Sequence, residues 1–356
     1  MKVQVFREIG ELPPHFLQML QQAGESCYFH SLPWHENLLG NSFPKDTGLL
    51  VYGVETEETP PQALCVFFAH AIRGRLGPSL SELSNFYSLN AGPVLAPGID
   101  PAPVIDGLVG HIAAEGWISA DFGPIDKDSP LFDALCASLA SHAFAVEPYF
   151  KHGNLYQDTA GQSFEQYLKS LGKNAREAQR KSRKLDREHD TEWRLITDLA
   201  DLPRGLEHYN RVYDLSWKEP EIFPDFIPRL MEHTASIGAL RLANLTVDGE
   251  PAATQLIVLS GRHAVMLKTA YAPKFERYSI GTVVLVRLLE QIMGAGDVDR
   301  VDLGAGDEPY KKHWATQRQE RWGVMAYNLR TVPGLAKAAA LQGRRAVKSL
   351  RDVLAR

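Results

Sequence analysis

Three apolar runs, at 239–247, 251–260 and 263–271, are separated only by turns at Asp248-Gly249 and Gly261-Arg262. An Asp-Gly pair between apolar runs marks a tight hairpin, so this stretch folds as antiparallel strands. The chain then continues as YAPKFERYSIGTVVLVRLLEQIMGAGDVDRVDLGAGDEPYKKHW from Tyr271 to Trp314. This reads as a strand end, a glycine-marked turn, an apolar helix over Thr282–Met293 stopped at Gly294 or Gly296, and a short strand over Val298–Leu303. A second glycine-rich turn leads to a Tyr-Lys-Lys-His-Trp cluster. Two strand ends and one helix start converge there, which is the geometry of a small-molecule site in an α/β sheet.

The 356 residues suit two domains, since domains usually run about 100–150 residues. A net charge of −5 excludes a molecule built as a whole to coat nucleic acid or an anionic membrane, so any basic function is local. The first ten residues lack a signal-peptide core, and no apolar run is long enough to cross a bilayer. The 3 cysteines, Cys27, Cys65 and Cys136, have no metal or redox spacing and are expected to be buried hydrophobes. A cytoplasmic protein without a metal is the expectation.

Ahead of the hairpins, residues 11–24 and the segment after Ser31 read as helices, Gly48–Val54 and Ala63–Ile72 as strands, and 93–96 as a further short strand. Between the last two, LSELSNFYSLNAGPVL has the Ser/Asn/Gly composition of a loop that lines a pocket. Helix 102–116, strand 117–122, helix 131–142 and strand 144–150 complete a first α/β unit. Residues 163–189 form a single amphipathic helix in this reading. Leu168, Leu171, Ala175, Ala178 and Leu185 share one face, and Lys169, Lys173, Arg176, Arg180, Arg183, Lys184 and Arg187 the other. Ser163 and Gln166 are placed for a capping box. A short strand at 193–196 and helices at 202–216 and 225–236 precede the hairpins, 321–330 is a last strand, and 333–356 a basic terminal helix. The expected divisions are 1–150, 151–330 and 331–356.

With KNAREAQRKSRKL, Trp217, the DGEPAATQLIVLSGRHAVMLKTAYAPKFERYSIGTVVL block, VDLGAGDEPYKKHWA, FHSLPWHENL and LSNFYSLNAGPVL in view, the chain resembles the GNAT superfamily. More narrowly it resembles the double-domain FemABX-like branch, in the subgroup of acetyltransferases of exopolysaccharide and cellulose biosynthesis. The likeness runs to about residue 330. It implies an α/β (α+β) fold of two tandem GNAT-like lobes with mixed, largely antiparallel sheets flanked by helices. It also implies transfer of an acyl or aminoacyl group to an amine. The family's Gln/Arg-x-x-Gly-x-Gly/Ala loop is here RYSIGT, with Arg277 and Gly281 one residue further apart and Thr282 in the last place.

Free N–H groups at the start of the 282–293 helix favour an anion, so Gly281 and Thr282, with Arg277, are candidates for the pyrophosphate of acetyl-CoA or another acyl-CoA. A packed turn needing a small residue is the plainer alternative. An amine must lose a proton before it attacks. Asp302 at a strand end is the candidate base or else a turn cap, and Asp307, Glu308, Glu276 and His313 are alternatives. The resemblance makes Tyr310 the acid for the leaving thiolate and Lys311 an anion contact. Lys268 either enters the site with a partner or points outward from its strand. Tyr271 would flank the acyl chain or the acceptor. Trp34, Asn85 and Tyr87 rest on the resemblance and on loop composition as acceptor contacts.

The expected reaction is acyl-CoA-dependent N-acylation of an amino sugar or related precursor, possessed of a nucleotide or lipid carrier, for a cell-surface polysaccharide. The donor would lie against strand 263–271 and the acceptor in the cleft between lobes. The basic face of 163–189 offers itself to an anionic partner, tRNA included if the chain is instead an aminoacyl-tRNA-dependent ligase. Arg344, Arg345, Lys348, Arg351 and Arg356 would let the terminal helix touch a membrane surface. A non-catalytic sensor that binds a nucleotide or precursor is the third alternative.

Overall fold

The computed structural model describes residues 1–341 and 343, without 297. The chain forms two compact units. The first comprises 1–24, 29–151 and 320 onward, and the second 25–28 and 152–319.

In the first unit the elements are β1 (Lys2–Phe6), α1 (Pro14–Ser26), α2 (Leu32–Ser42), β2 (Gly48–Glu55), β3 (Ala63–Gly74), β4 (Gly77–Glu82), β5 (Val94–Leu95), α3 (Pro101–Ala114), β6 (Ser119–Asp126), α4 (Pro130–Ser141) and β7 (Phe144–Asp158). The second runs through α5 (Phe164–Ser170), α6 (Lys173–Glu188), β8 (Thr191–Ile196), α7 (Leu202–Leu215), α8 (Phe226–Ser236), β9 (Leu240–Val247), β10 (Glu250–Ser260), β11 (His263–Tyr271), α9 (Ile280–Gly294), β12 (Arg300–Ala305) and β13 (Gln317–Asn328).

The two units repeat one order. β1-α1-α2-β2-β3-β4-α3-β6 matches β8-α7-α8-β9-β10-β11-α9-β12, with β4–β6 and β11–β12 both parallel in otherwise antiparallel sheets. The last strand is exchanged. The first sheet runs β1-β2-β3-β4-β6-β13, while in the second β7 lies beside β12 in the order β7-β12-β11-β10-β9-β8. The linear reading, with 321–330 closing the second lobe, assigns that strand to the wrong unit. Sequence order alone cannot show such an exchange. The fold is the expected α/β class of tandem lobes with mixed, largely antiparallel sheets.

Local chemistry sets the boundaries. Ser31 and Ser129 cap α2 and α4 by accepting from Trp34 N and Phe132 N at 3.3 Å, and Pro stands in the first turn of each helix. Asp248 and Gly249 take φ of 51° and 77°, the left-handed pair a tight hairpin needs. The expected helix over 163–189 is broken. Gly172, at φ 88°, separates α5, which begins with the Ser163–Gln166 capping box, from α6. The apolar stripe survives the break, because Leu168, Ala175, Ala178 and Leu185 are all buried in the second unit's core with Val283, Val284 and Leu288 of α9. The first core gathers Tyr52, Phe67, Ile105, Leu108, Phe122 and Leu139. Cys65 is buried as expected, and Cys27 and Cys136 are half-buried. Residues 332–341 are helical. The expected continuation carrying Arg344, Arg345, Lys348, Arg351 and Arg356 lies outside the described residues. No described helix is long and apolar enough to cross a membrane.

Candidate functional site

The second unit holds a cavity of about 430 Å³ where β11 ends and α9 begins. Tyr271, Glu276, Ser279, Gly281 and Thr282 line it at that junction. Gln255, Met266, Leu285 and Trp314 line it, and Trp217 and Tyr310 reach it from the α7–α8 connection and the 3₁₀ turn Pro309–His313. Aromatic and aliphatic walls with a few polar groups are the usual make-up of a small-molecule site.

Strand pairing opens β11 toward this cavity. The β10–β11 register shifts between Leu256 and Ile257, which face Lys268 and Met266, so Leu267 is the extra residue of a bulge. A bulge leaves its extra residue out of the ladder. On the other side, β12 is in register with β11 at His263, Ala264 and Val265. Beyond Val265, β11 has no in-register partner in β12 among the described residues, so that edge is open from the bulge to Tyr271.

Helix α9 starts at Ile280, two residues earlier than the apolar pattern indicates, so Gly281 and Thr282 sit inside its first turn. Ser279 is the N-cap in a left-handed conformation, φ 54°, and makes no side-chain cap. Its Oγ instead accepts from Lys181 Nζ of α6 at 2.9 Å. Thr282 N and Val283 N donate to Ser279 O at 2.9 and 3.0 Å, so the N–H groups of Ile280 and Gly281 are the ones at the positive end of the helix dipole that remain for a ligand. Lys181 adds a cation at that point. Gly281 has a second role, because a Cβ built there would stand 3.0 Å from Cδ1 of Tyr271. The Tyr271 ring in turn packs on Trp217 with centroids 4.3 Å apart. The topologically matching helix of the first unit is closed to anions. Asp100 caps α3 by accepting from Ala102 N at 3.1 Å, and Pro101 follows.

The structure brings Tyr271, Gly281, Thr282 and Tyr310 to one cavity. Tyr310 is 43% exposed, and burial of its hydroxyl with the nearby Glu308 charge pushes its pKa up to about 12. It therefore holds its proton at neutral pH. Arg277 stacks on the Tyr278 ring, 4.6 Å from its centroid, at the α9 approach, and does not line the cavity.

Other candidates belong to the framework. Asp302 Oδ1 accepts from Asn154 Nδ2 at 2.7 Å and from Gly304 N at 2.8 Å, which makes it the cap of the left-handed Gly304 turn, outside the cavity lining. Lys311 is 4% exposed. Its Nζ donates to Ala305 O at 2.5 Å and pairs with Glu308 at 2.9 Å, so the glycine turn holds the ammonium that the resemblance places on an anion. Asp307 pairs with Arg318, which holds its carboxyl below the usual range. The carboxylate that does line the cavity is Glu276, one of the alternative bases, and its charge helps burial to raise the Tyr271 pKa.

Lys268 does not point outward. Its ammonium pairs with Glu221, and the two side chains are 12% and 15% exposed. Lys268 and Lys218 both lie over the Tyr213 ring, at 5.8 and 5.9 Å. Burial, and then the Lys268 charge, lower the Lys218 pKa.

In the first unit, Trp34 is 1% exposed and packs edge-on against Phe29, and Tyr87 is also buried. Asn85 Oδ1 accepts from Tyr87 N at 2.8 Å within its own turn. Asn85 Nδ2 is buried with no hydrogen-bond partner among the described residues. Among the described residues, no group of three or more His, Cys, Asp or Glu could hold a metal.

Gln255, Thr269, Ser279 and Lys181 were not legible as site residues. Gln255 and Thr269 sit in apolar strand runs, and Lys181 lies off the basic stripe of its helix.

Residues 172–312 match the family model described as Acetyltransferase (GNAT) domain. No curated protein sequence matches the chain significantly. Among solved structures, FemX aligns with a TM-score of 0.62 at 10% identity, over 92% of this chain and 98% of that one. The C-terminal domain of a protein described as a lysylphosphatidylglycerol synthetase from Agrobacterium fabrum aligns with a TM-score of 0.52 at 15% identity, over 91% and 94%. L-PGS from Bacillus licheniformis gives 0.51 at 12%, over 93% and 97%. At such identities the likeness establishes the fold. Residues 172–312 thus match a GNAT acetyltransferase domain model, in a chain that shares the fold of FemX.

Proposed function

We propose that the protein is an N-acyltransferase that moves an acyl group from acyl-CoA to an amine, with an amino sugar or related precursor of a cell-surface polysaccharide as acceptor. The observation that carries this reading is the junction of three elements at one cavity. The first turn of α9 with Lys181, the bulged β11 strand and Tyr310 meet there; in this reading the helix start takes the phosphates, the β11 edge the carbonyl, and Tyr310 supplies a proton.

The acyl carbonyl lies on the β11 edge, where N–H groups stabilise the oxyanion as it forms. The neutral amine nitrogen attacks the carbonyl carbon. A C–N bond forms, the C–S bond breaks, and the electron pair leaves on sulfur. The amine's proton passes to Glu276, directly or through water, and the thiolate takes the proton of Tyr310. Asp302 and Lys311 act on this chemistry as positioning residues, by fixing the 304–306 turn behind Tyr310. Incubation with acetyl-CoA and a panel of amino sugars, read by mass spectrometry, tests the reading. Acylated product is expected, and no transfer together with no CoA binding would overturn it.

The exposed face of α6 favours a second reading. Lys173, Arg176, Arg183 and Arg187 are solvent-exposed along one helix, as binding of an aminoacyl-tRNA donor would require. Such binding would weaken steeply with salt, whereas acyl-CoA binding responds only modestly.

A further inference from the structure

Gln255 is a polar side chain at the cavity wall that is 1% exposed. Its Nε2 donates to Lys268 O at 2.9 Å and to Leu256 O at 3.4 Å. Both partners are carbonyls, so the amide orientation is fixed by its network and Oε1 is the remaining atom. Oε1 has no protein partner among the described residues, and it is not among the buried atoms sealed from solvent. The space it meets is the cavity. An acceptor that faces a cavity is met by water until a ligand supplies a donor in its place, and a ligand that cannot do so loses that bond. Lys268 O, which Gln255 clamps, adjoins the bulge at Leu267. The unbonded oxygen is thus held next to the edge proposed for the acyl carbonyl.

We propose that the acyl group transferred by this protein carries a hydrogen-bond donor of its own, a hydroxyl or an amine a few bonds from the carbonyl, which Gln255 Oε1 accepts. Gln255 is then a specificity-determining residue that selects substituted acyl groups over plain ones. A site built around a hydrogen bond rejects the analogue that lacks it far more strongly than an apolar pocket rejects a missing methylene. This inference rests on the reading of the cavity as the acyl-donor site.

Calorimetric titrations with matched donors test it. 3-Hydroxybutyryl-CoA is compared with butyryl-CoA for a hydroxyl, and β-alanyl-CoA with propionyl-CoA for an amine. The wild type is expected to prefer at least one substituted donor about tenfold or more, and the preferred pair tells which donor group is used. Gln255→Met is expected to bring that ratio to about one while the affinity for free CoA stays within about twofold. Equal binding of both members of each pair by the wild type, or a preference that survives Gln255→Met, overturns the inference alone. Failure of every acyl-CoA and of CoA to bind overturns the donor reading and the inference with it.

Discussion

Lys181 donates from Nζ to Oγ of Ser279 across 2.9 Å, so the basic helix α6 reaches the N-cap of α9. This contact places one cation at a helix start where Ser279 makes no side-chain cap and the Ile280 and Gly281 N–H groups remain for a ligand. Replacement of Lys181 by alanine is expected to weaken CoA binding about tenfold, the worth of one charge-assisted contact. Arg277→Ala is expected to have a smaller effect, since its guanidinium lies on Tyr278. Calorimetry on both variants checks the order, and an equal or reversed order would refute it.

Gly281 and Tyr271 form a steric pair. A β-carbon at 281 meets the ring at 3.0 Å, so Gly281→Val must displace Tyr271 from the cavity wall and from Trp217. Donor affinity is expected to fall tenfold or more, while the protein loses only about 1 kcal/mol of stability. Addition of Tyr271→Ala to Gly281→Val should recover part of that affinity, as coupled neighbours do. Additive losses in the double variant would show that the two positions act separately.

Tyr310 is protonated across the neutral range, because burial and Glu308 raise its pKa to about 12. Tyr310→Phe is expected to lower kcat by about a hundredfold or more and to leave KM for the donor nearly unchanged. Glu276→Gln, which removes the proposed base, is expected to lower kcat by about a hundredfold with a smaller effect on KM for the donor. Steady-state kinetics over pH 5–9 read both effects.

The first unit carries a pH dependence of its own. Glu82 is buried and accepts from the backbone N–H groups of Gly92 and Gly123. Burial raises its pKa from 4.5 to about 7. A folded pKa above the unfolded one means that the native state binds the extra proton between those values. The contribution to stability is therefore complete below about pH 4.5 and is lost as pH rises through about 7, on the order of 3 kcal/mol. Asp121, also raised by burial, acts in the same direction, while its Tyr149 hydrogen bond at 2.8 Å and the Lys151 charge oppose it. Glu82→Gln is expected to flatten this slope in denaturant titrations from pH 5 to 8. It is also expected to be less stable by about 1–3 kcal/mol, because an amide NH₂ would face one glycine N–H. An unchanged slope would contradict the assignment.

What was legible in the sequence was local chemistry. The Asp248-Gly249 turn, the Ser163–Gln166 box and the apolar stripe of 163–189 each depend on residues a few positions apart. What escaped depends on distant partners. The paired state of Lys268 is decided by Glu221 across 47 positions, and Lys181 meets Ser279 across 98. Lys311 looked like an available cation because nothing in its neighbours shows that the carbonyl of Ala305 folds back onto it. Asp302 looked equally like a base or a cap until Asn154, from the strand that the first repeat contributes to the second sheet, was found on its Oδ1. Gly172 inside a strong amphipathic pattern was a visible warning, and its φ of 88° is the reason the helix breaks there.

The central claim is that the start of α9, with Lys181, holds the diphosphate of an acyl-CoA. Calorimetric titration of CoA into the wild type, Lys181→Ala and Gly281→Val measures it most directly. Saturable binding of one CoA per chain, weakened about tenfold by each substitution, is the predicted result. No binding to the wild type, or binding that neither substitution alters, would contradict it.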